Sequence, residues 1–157
     1  VRYDKGYRNF RVSINGMCKD WSSYQTKIKY PELFDIDIRS IDNSEIANLF
    51  ASADYFVQPY RVVSQSGPTK IAFNYNLPII ASNLPGFSDE ILENVNGYLF
   101  EPGNVNDLVR VMASAIDTYT RDYSKLKASM AEHTEQYYSA EKIASQYIEM
   151  FDEVLCR

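Results

Sequence analysis

The 157 residues carry a formal net charge of −5, which weighs against nucleic-acid binding, where a basic face is the usual footprint. A small anionic ligand stays open, because a local pocket can oppose the overall sign. With 45% hydrophobic and 24% charged residues, the chain has the make-up of a soluble globular domain, long enough to bury roughly 70% of its unfolded surface without a disulfide or metal. No apolar run approaches the ~18 residues of a membrane span, and no signal-peptide pattern is present.

In chain order, "FRVSINGM" (Phe10 to Met17) alternates apolar and polar residues and predicts a strand. Asp20 to Tyr30 predicts a helix with Trp21, Tyr24 and Ile28 on one face. "FDIDIRSI" (Phe34 to Ile41) alternates again. Asp42 and Glu45 have capping-box spacing ahead of a helix with Ile46, Leu49 and Phe50 on its apolar side. "DYFVQPY" is a short buried strand ended by Pro59. "PTKIAFNYN" is a short helix with Pro68 in its first turn and Ile71, Ala72 and Tyr75 on one face, and "LPIIAS" is another buried strand. A short helix with Ser88 as its cap, a strand "GYLFEPG" and an amphipathic helix from Asn104 follow, with Leu108, Val109, Met112 and Ile116 inward. Helices around Asp122 to Tyr137 and Ala140 to Leu155 close the chain. Strands alternating with helices imply an α/β fold with a parallel sheet flanked by helices. Residues from about 121 to 157 form a helical tail, and the whole is expected to be one domain.

The stretch "SQSGP", Ser64 to Pro68, lies between a buried strand and a helix. In an open parallel sheet such a loop lies at the ligand edge. A helix start there offers unpaired N–H groups and about half a positive charge to an anion. Gly67 lets a ligand approach the backbone. Ser64, Gln65 and Ser66 add side-chain donors, Thr69 sits in the first turn, and Arg61 lies at the strand's carboxyl end. The loop has the makings of a phosphate cradle, although many loops of this composition only turn the chain.

Ile46 to Leu108 carries an ordered set of landmarks: Ala53-Asp54, Pro59-Tyr60, Pro78-Ile79-Ile80, Gly86 with Asp89 and Glu90, Gly97 to Gly103, and Asp107-Leu108. This run resembles the donor-binding half of family-four glycosyltransferases with the GT-B fold, and "EKIASQYIEMFDEVL" is similar to the family's closing helix. The resemblance implies a Rossmann-like domain, one half of a GT-B enzyme. Such an enzyme transfers a hexose-type sugar from a nucleotide-activated donor with retention, using helix dipoles and basic side chains rather than a metal or cofactor. An acceptor, saccharide or lipid-linked, would be held by an N-terminal domain that this chain lacks, so the chain alone is expected not to turn over. The implied setting is surface polysaccharide synthesis, cytoplasmic or peripheral to the inner face of the membrane.

The resemblance also assigns residues. "RYDKGY" is similar to the family's Arg-x-x-Lys-Gly signature, which would give Arg2 and Lys5 to the diphosphate. That signature normally follows a first strand, and here only Val1 precedes it, so a basic terminus without that role is the other reading. Glu90 would touch a sugar hydroxyl, or else favour the amino end of its helix. Many members carry two glutamates eight positions apart in the donor loop and its helix; Val63 and Ile71 occupy those positions here. That departure supports an alternative reading, a degenerate non-catalytic GT-B half that binds a partner chain.

Other residues read more plainly. Asp35-Ile36-Asp37 has the spacing of a metal-diphosphate motif, but alternation makes a solvated strand face the favoured reading. His133, the only histidine, reads as a surface residue of the polar tail rather than a base. Cys18 and Cys156 read as free thiols. No catalytic residue is assigned.

Overall fold

The computed structural model describes residues 10–156, which form two compact units divided after Ala51. The first holds β1 (Val12–Asn15), α1 (Trp21–Gln25), a 3-10 turn (Pro31–Leu33), β2 (Phe34–Asp37) and α2 (Asn43–Ala51). β1 and β2 pair in parallel, with Val12 opposite Phe34 and Asn15 opposite Asp37. The helix predicted for Asp20 to Tyr30 is cut to Trp21–Gln25, because beyond it the amides of Lys27 and Ile28 close three-residue turns onto Tyr24 and Gln25. The predicted capping box forms. The Ser44 amide donates to Asp42 Oδ1 (2.9 Å) and the Asp42 amide to Glu45 Oε1 (3.1 Å). The Arg39 guanidinium and the Asp42 amide hold the Glu45 carboxyl down at about 2. The two carboxylates of the Asp35-Ile36-Asp37 stretch are engaged separately and at the surface, Asp35 by Arg11 (2.9 Å) and Asp37 by Arg39 (2.8 Å).

The second unit holds β3 (Phe56–Gln58), α3 (Gly67–Asn74), β4 (Ile79–Ser82), α4 (Pro85–Ser88), β5 (Gly97–Phe100), α5 (Val105–Arg121), α6 (Tyr123–Tyr138) and α7 (Ala140–Leu155). The strands run parallel in the order β3-β4-β5, with Val57 opposite Ile80 and Ile80 opposite Tyr98. Every residue of β4 is buried, as a central strand covered on both faces requires. On one face Ile80, Tyr98 and Phe100 pack with Val111 and Ala115 of α5 and Leu126 of α6. Side-chain alternation puts Ile79 on the other face, and the fully buried Phe73, Leu77, Phe87, Ile91 and Met130 belong to the same unit.

Helix starts and faces differ from expectation in two places. Ser88 ends α4 rather than capping it, since Pro85 at the first turn starts the helix early behind an extended Leu84. On α3 the buried positions are Thr69, Ala72 and Phe73, while Tyr75 is exposed at the C-cap. Phe73 stacks on Tyr138 of α6 at 4.8 Å between ring centroids, which turns the helix toward the tail.

His133 is a packing residue, not a surface one. The buried Asn96 donates through Nδ2 to the Glu90 carbonyl (2.9 Å) and accepts at Oδ1 from the Leu92 amide (2.8 Å), so its orientation is fixed. The same Nδ2 lies 3.3 Å from His133 Nδ1, which must therefore accept, leaving the proton on Nε2. Burial lowers the pKa of His133. A histidine whose folded pKa is depressed stabilises fully above its unfolded value of about 6.5, and that contribution is lost as pH falls through the folded value. Thermal melts from pH 7.5 to 5.0 should thus show an acid loss of Tm that is smaller in His133→Phe. Identical slopes for the two proteins would refute the assignment.

Candidate donor-binding site

The carboxyl ends of β3 and β4 are Gln58 and Ser82, and the loops leaving them meet. An added Cβ on Gly86, at the start of α4, would lie 2.8 Å from the Ser64 carbonyl oxygen and 3.2 Å from Val63 Cγ1. Tyr60 stacks on the fully buried Phe87 at 5.8 Å. The "SQSGP" loop and the Gly86 turn, separate in the chain, are thus one surface at the sheet's ligand edge.

α3 starts at Gly67, with Ser66 extended at the N-cap (φ −134°) and without a capping side-chain bond. The Thr69 amide closes onto the Ser66 carbonyl (3.2 Å). Among the described residues, the amides of Ser64, Gln65, Ser66 and Gly67 have no acceptor. An added Cβ at Gly67 meets nothing within 4 Å. This is open space beside a helix start with unpaired donors, the local requirement for an anion.

The expected donor-binding residues separate into two groups. Ser64, Gln65, Gly67 and Arg61 are exposed and Ser66 half-buried, and no partner engages Arg61 among the described residues. Thr69 and Glu90 are occupied internally. Thr69 is buried (1% exposed) and its hydroxyl donates to Gln58 Oε1 at 2.7 Å, so its position inside the first turn makes it an anchor of the loop rather than an open ligand. The Glu90 carboxylate accepts from Lys70 Nζ (2.7 Å). Lys70 in turn lies over the Tyr138 ring, 4.6 Å from its centroid. These contacts brace α3 against α6 and the turn after α4, and they direct Glu90 toward Lys70. Arg2 and Lys5 fall outside the described residues.

Two residues at the ligand edge escaped sequence reasoning. Gln58 is 1% exposed and bonds both Ser66 and Thr69; a polar residue ending an apolar run just before proline was the available signal. Ser82 is fully buried, and its hydroxyl has no partner among the described residues; nothing in its sequence context marks it out.

Residues 6–118 match the family described as Glycosyl transferases group 1. The chain is 29% identical over 102 residues to sulfoquinovosyl transferase SQD2 of Arabidopsis thaliana, covering 62% of this chain and 20% of that protein. A glycosyltransferase from Rickettsia africae ESF-5 superposes with a TM-score of 0.75 at 17% identity, over 94% of this chain and 41% of that one. Anabaena HepE, solved in complex with UDP, gives a TM-score of 0.76 at 17% identity, over 92% of this chain and 41% of that one. The chain thus spans between one fifth and about two fifths of the length of these relatives. At such identities the solved structures speak to the fold, and it is that of GT-B glycosyltransferases, with parallel strands flanked by helices. With the family match extending over well more than half of its residues, the chain belongs to the Glycosyl transferases group 1 family.

Proposed function

We propose that this chain is the donor-binding half of a retaining, family-four glycosyltransferase that takes a sugar from a nucleotide-activated donor and passes it to a saccharide or lipid-linked acceptor. The observation that carries the reading is the set of unpaired amides from Ser64 to Gly67 at the start of α3, beside open space at the sheet's ligand edge. Family membership and a UDP-bound structural neighbour support it.

In this reading the diphosphate lies against the amides of Gln65 to Gly67, and Arg61 adds a full positive charge. As the bond to the sugar breaks, negative charge builds on the departing diphosphate, and preorganised amides stabilise it without reorganising. No metal is required for that task. The acceptor is held by a second domain facing this one, so the 157 residues bind donor without completing turnover. The work is cytoplasmic, or at the inner face of a membrane, and serves surface polysaccharide synthesis. Among the described residues no helix is long and apolar enough to cross a membrane.

A second reading, a non-catalytic half that binds a partner chain, draws on Val63 and Ile71, which stand where many relatives carry donor-contacting glutamates and cannot accept a hydroxyl hydrogen. One titration separates the two. UDP and GDP, added with and without their sugars, should shift the amide NMR signals of Ser64 to Gly67 saturably. No shift at any nucleotide concentration would exclude the donor reading and leave the partner-binding one.

A further inference from the structure

We infer that Gln58, buried beneath the loop, is a positioning residue that turns Ser66 into a dedicated hydrogen-bond donor for the diphosphate. The inference rests on the donor-binding reading above and names a specific device within it. Gln58 lies at the carboxyl end of β3 and is 1% exposed. Its Nε2 donates to Ser66 Oγ at 2.7 Å, and its Oε1 accepts from the Thr69 hydroxyl, also at 2.7 Å. One side-chain amide therefore ties the N-cap residue and the first turn of α3 to the end of a strand.

The direction of these bonds matters. A hydroxyl has one hydrogen to give and two lone pairs to accept with. Ser66 Oγ accepts from Gln58, so its hydrogen remains to be given elsewhere. An N-cap serine usually accepts from the second or third amide of the helix; Ser66 makes no such bond. Gln58 thus draws the serine oxygen away from the helix start. One result follows from this contact: the serine hydroxyl is biased to donate. That suits an acceptor-only group such as a phosphate oxygen. A leucine at position 58 would fill similar volume and supply no such bias. A glutamate would accept from both hydroxyls, turn the Ser66 hydrogen inward and present its lone pairs and a negative charge toward the ligand.

The test measures UDP affinity of the full chain by calorimetry, with circular-dichroism melts to report folding. A hydrogen bond to a charged group is worth about tenfold or more in affinity, so Ser66→Ala should weaken UDP roughly tenfold, and Gln58→Glu should weaken it at least as much. Gln58→Leu should weaken UDP in the parent chain but have no added effect in a Ser66→Ala background, because its action runs through Ser66; a merely structural role would not show that coupling. Unchanged affinity in Ser66→Ala, or additive losses in the double variant, would overturn the inference while leaving the donor site standing. Absence of UDP binding by the parent chain would remove both. Should Gln58→Leu fail to fold, the Ser66→Ala and Gln58→Glu measurements decide.

Discussion

Gly97→Ala is expected to lower the stability of the chain by about 3 kcal/mol or more, a fall in Tm of roughly 10 °C for a protein of this size. On backbone conformation alone the change should help. The φ of Gly97 lies outside the left-handed region, and replacing such a glycine commonly stabilises by about 0.4–1 kcal/mol by restricting the unfolded chain. Space decides otherwise. A Cβ at this position would sit 2.1 Å from the carbonyl oxygen of Ile79, and 3.0 and 3.1 Å from its carbonyl carbon and nitrogen. Those are backbone atoms of the central strand, and Ile79 is wholly buried. The collision cannot be relieved by a side-chain rotation; β5 must move off β4, which disturbs the packing of Tyr98 and Phe100 against Ile80 and α5. Thermal and urea melts of the two proteins give the difference directly. A variant as stable as the parent would mean that β5 does not approach β4 closely enough at Gly97 to exclude a Cβ.

That contact also marks where sequence reasoning stopped. The strands of the second unit were legible because β4 is a continuous apolar run bounded by Asn76 and Asn83, and two-sided burial leaves no other use for it. α5 was legible from its amphipathic pattern around Leu108, Val109, Met112 and Ile116, and in the structure Asn104 and Ser139 cap α5 and α7, accepting from the amides of Asp107 and Lys142. The loop from Ser64 to Pro68 was legible as a polar, glycine-containing turn at a helix start. What could not be read were relations between distant segments. Thr69 is an ordinary helix residue in sequence, and only the fold brings the Gln58 amide to its hydroxyl. Glu90 resembles a sugar contact until Lys70, twenty residues earlier, is found on its carboxylate. His133 sits among glutamates in a polar stretch, which argued for the surface. Asn96, thirty-seven residues away, reaches it from beneath. Tail helix α6 was predicted as a helix, but its role as the partner of Phe73 and Lys70 depends on aromatic contacts that no local pattern records.

Gly67→Val should lower UDP affinity by about tenfold to a hundredfold, with a fall in stability of only about 1 kcal/mol from the strain of a β-branched residue before Pro68. The excess of the affinity loss over the stability loss makes the variant informative. Apart from its chain neighbours, the volume next to Gly67 is empty within 4 Å, so an added Cβ meets no other segment of the free protein. It would stand in the approach to the Gly67 amide, and a diphosphate oxygen could not come within hydrogen-bonding distance without displacing it. Gly86→Ala supplies the contrasting case. Its Cβ would press on the Ser64 carbonyl at 2.8 Å and on Val63, forcing the loop outward, so affinity and stability should fall together, the latter by about 1–3 kcal/mol. His133→Ala, a packing loss on α6 well along the chain from the loop, should cost stability and leave affinity within about twofold, since substitutions without shared partners act nearly independently. Calorimetric titration with UDP, paired with a melt for each variant, distinguishes all three. If Gly67→Val bound UDP as tightly as His133→Ala does, the diphosphate would not lie at the start of α3, and the free amides from Ser64 to Gly67 would need another explanation.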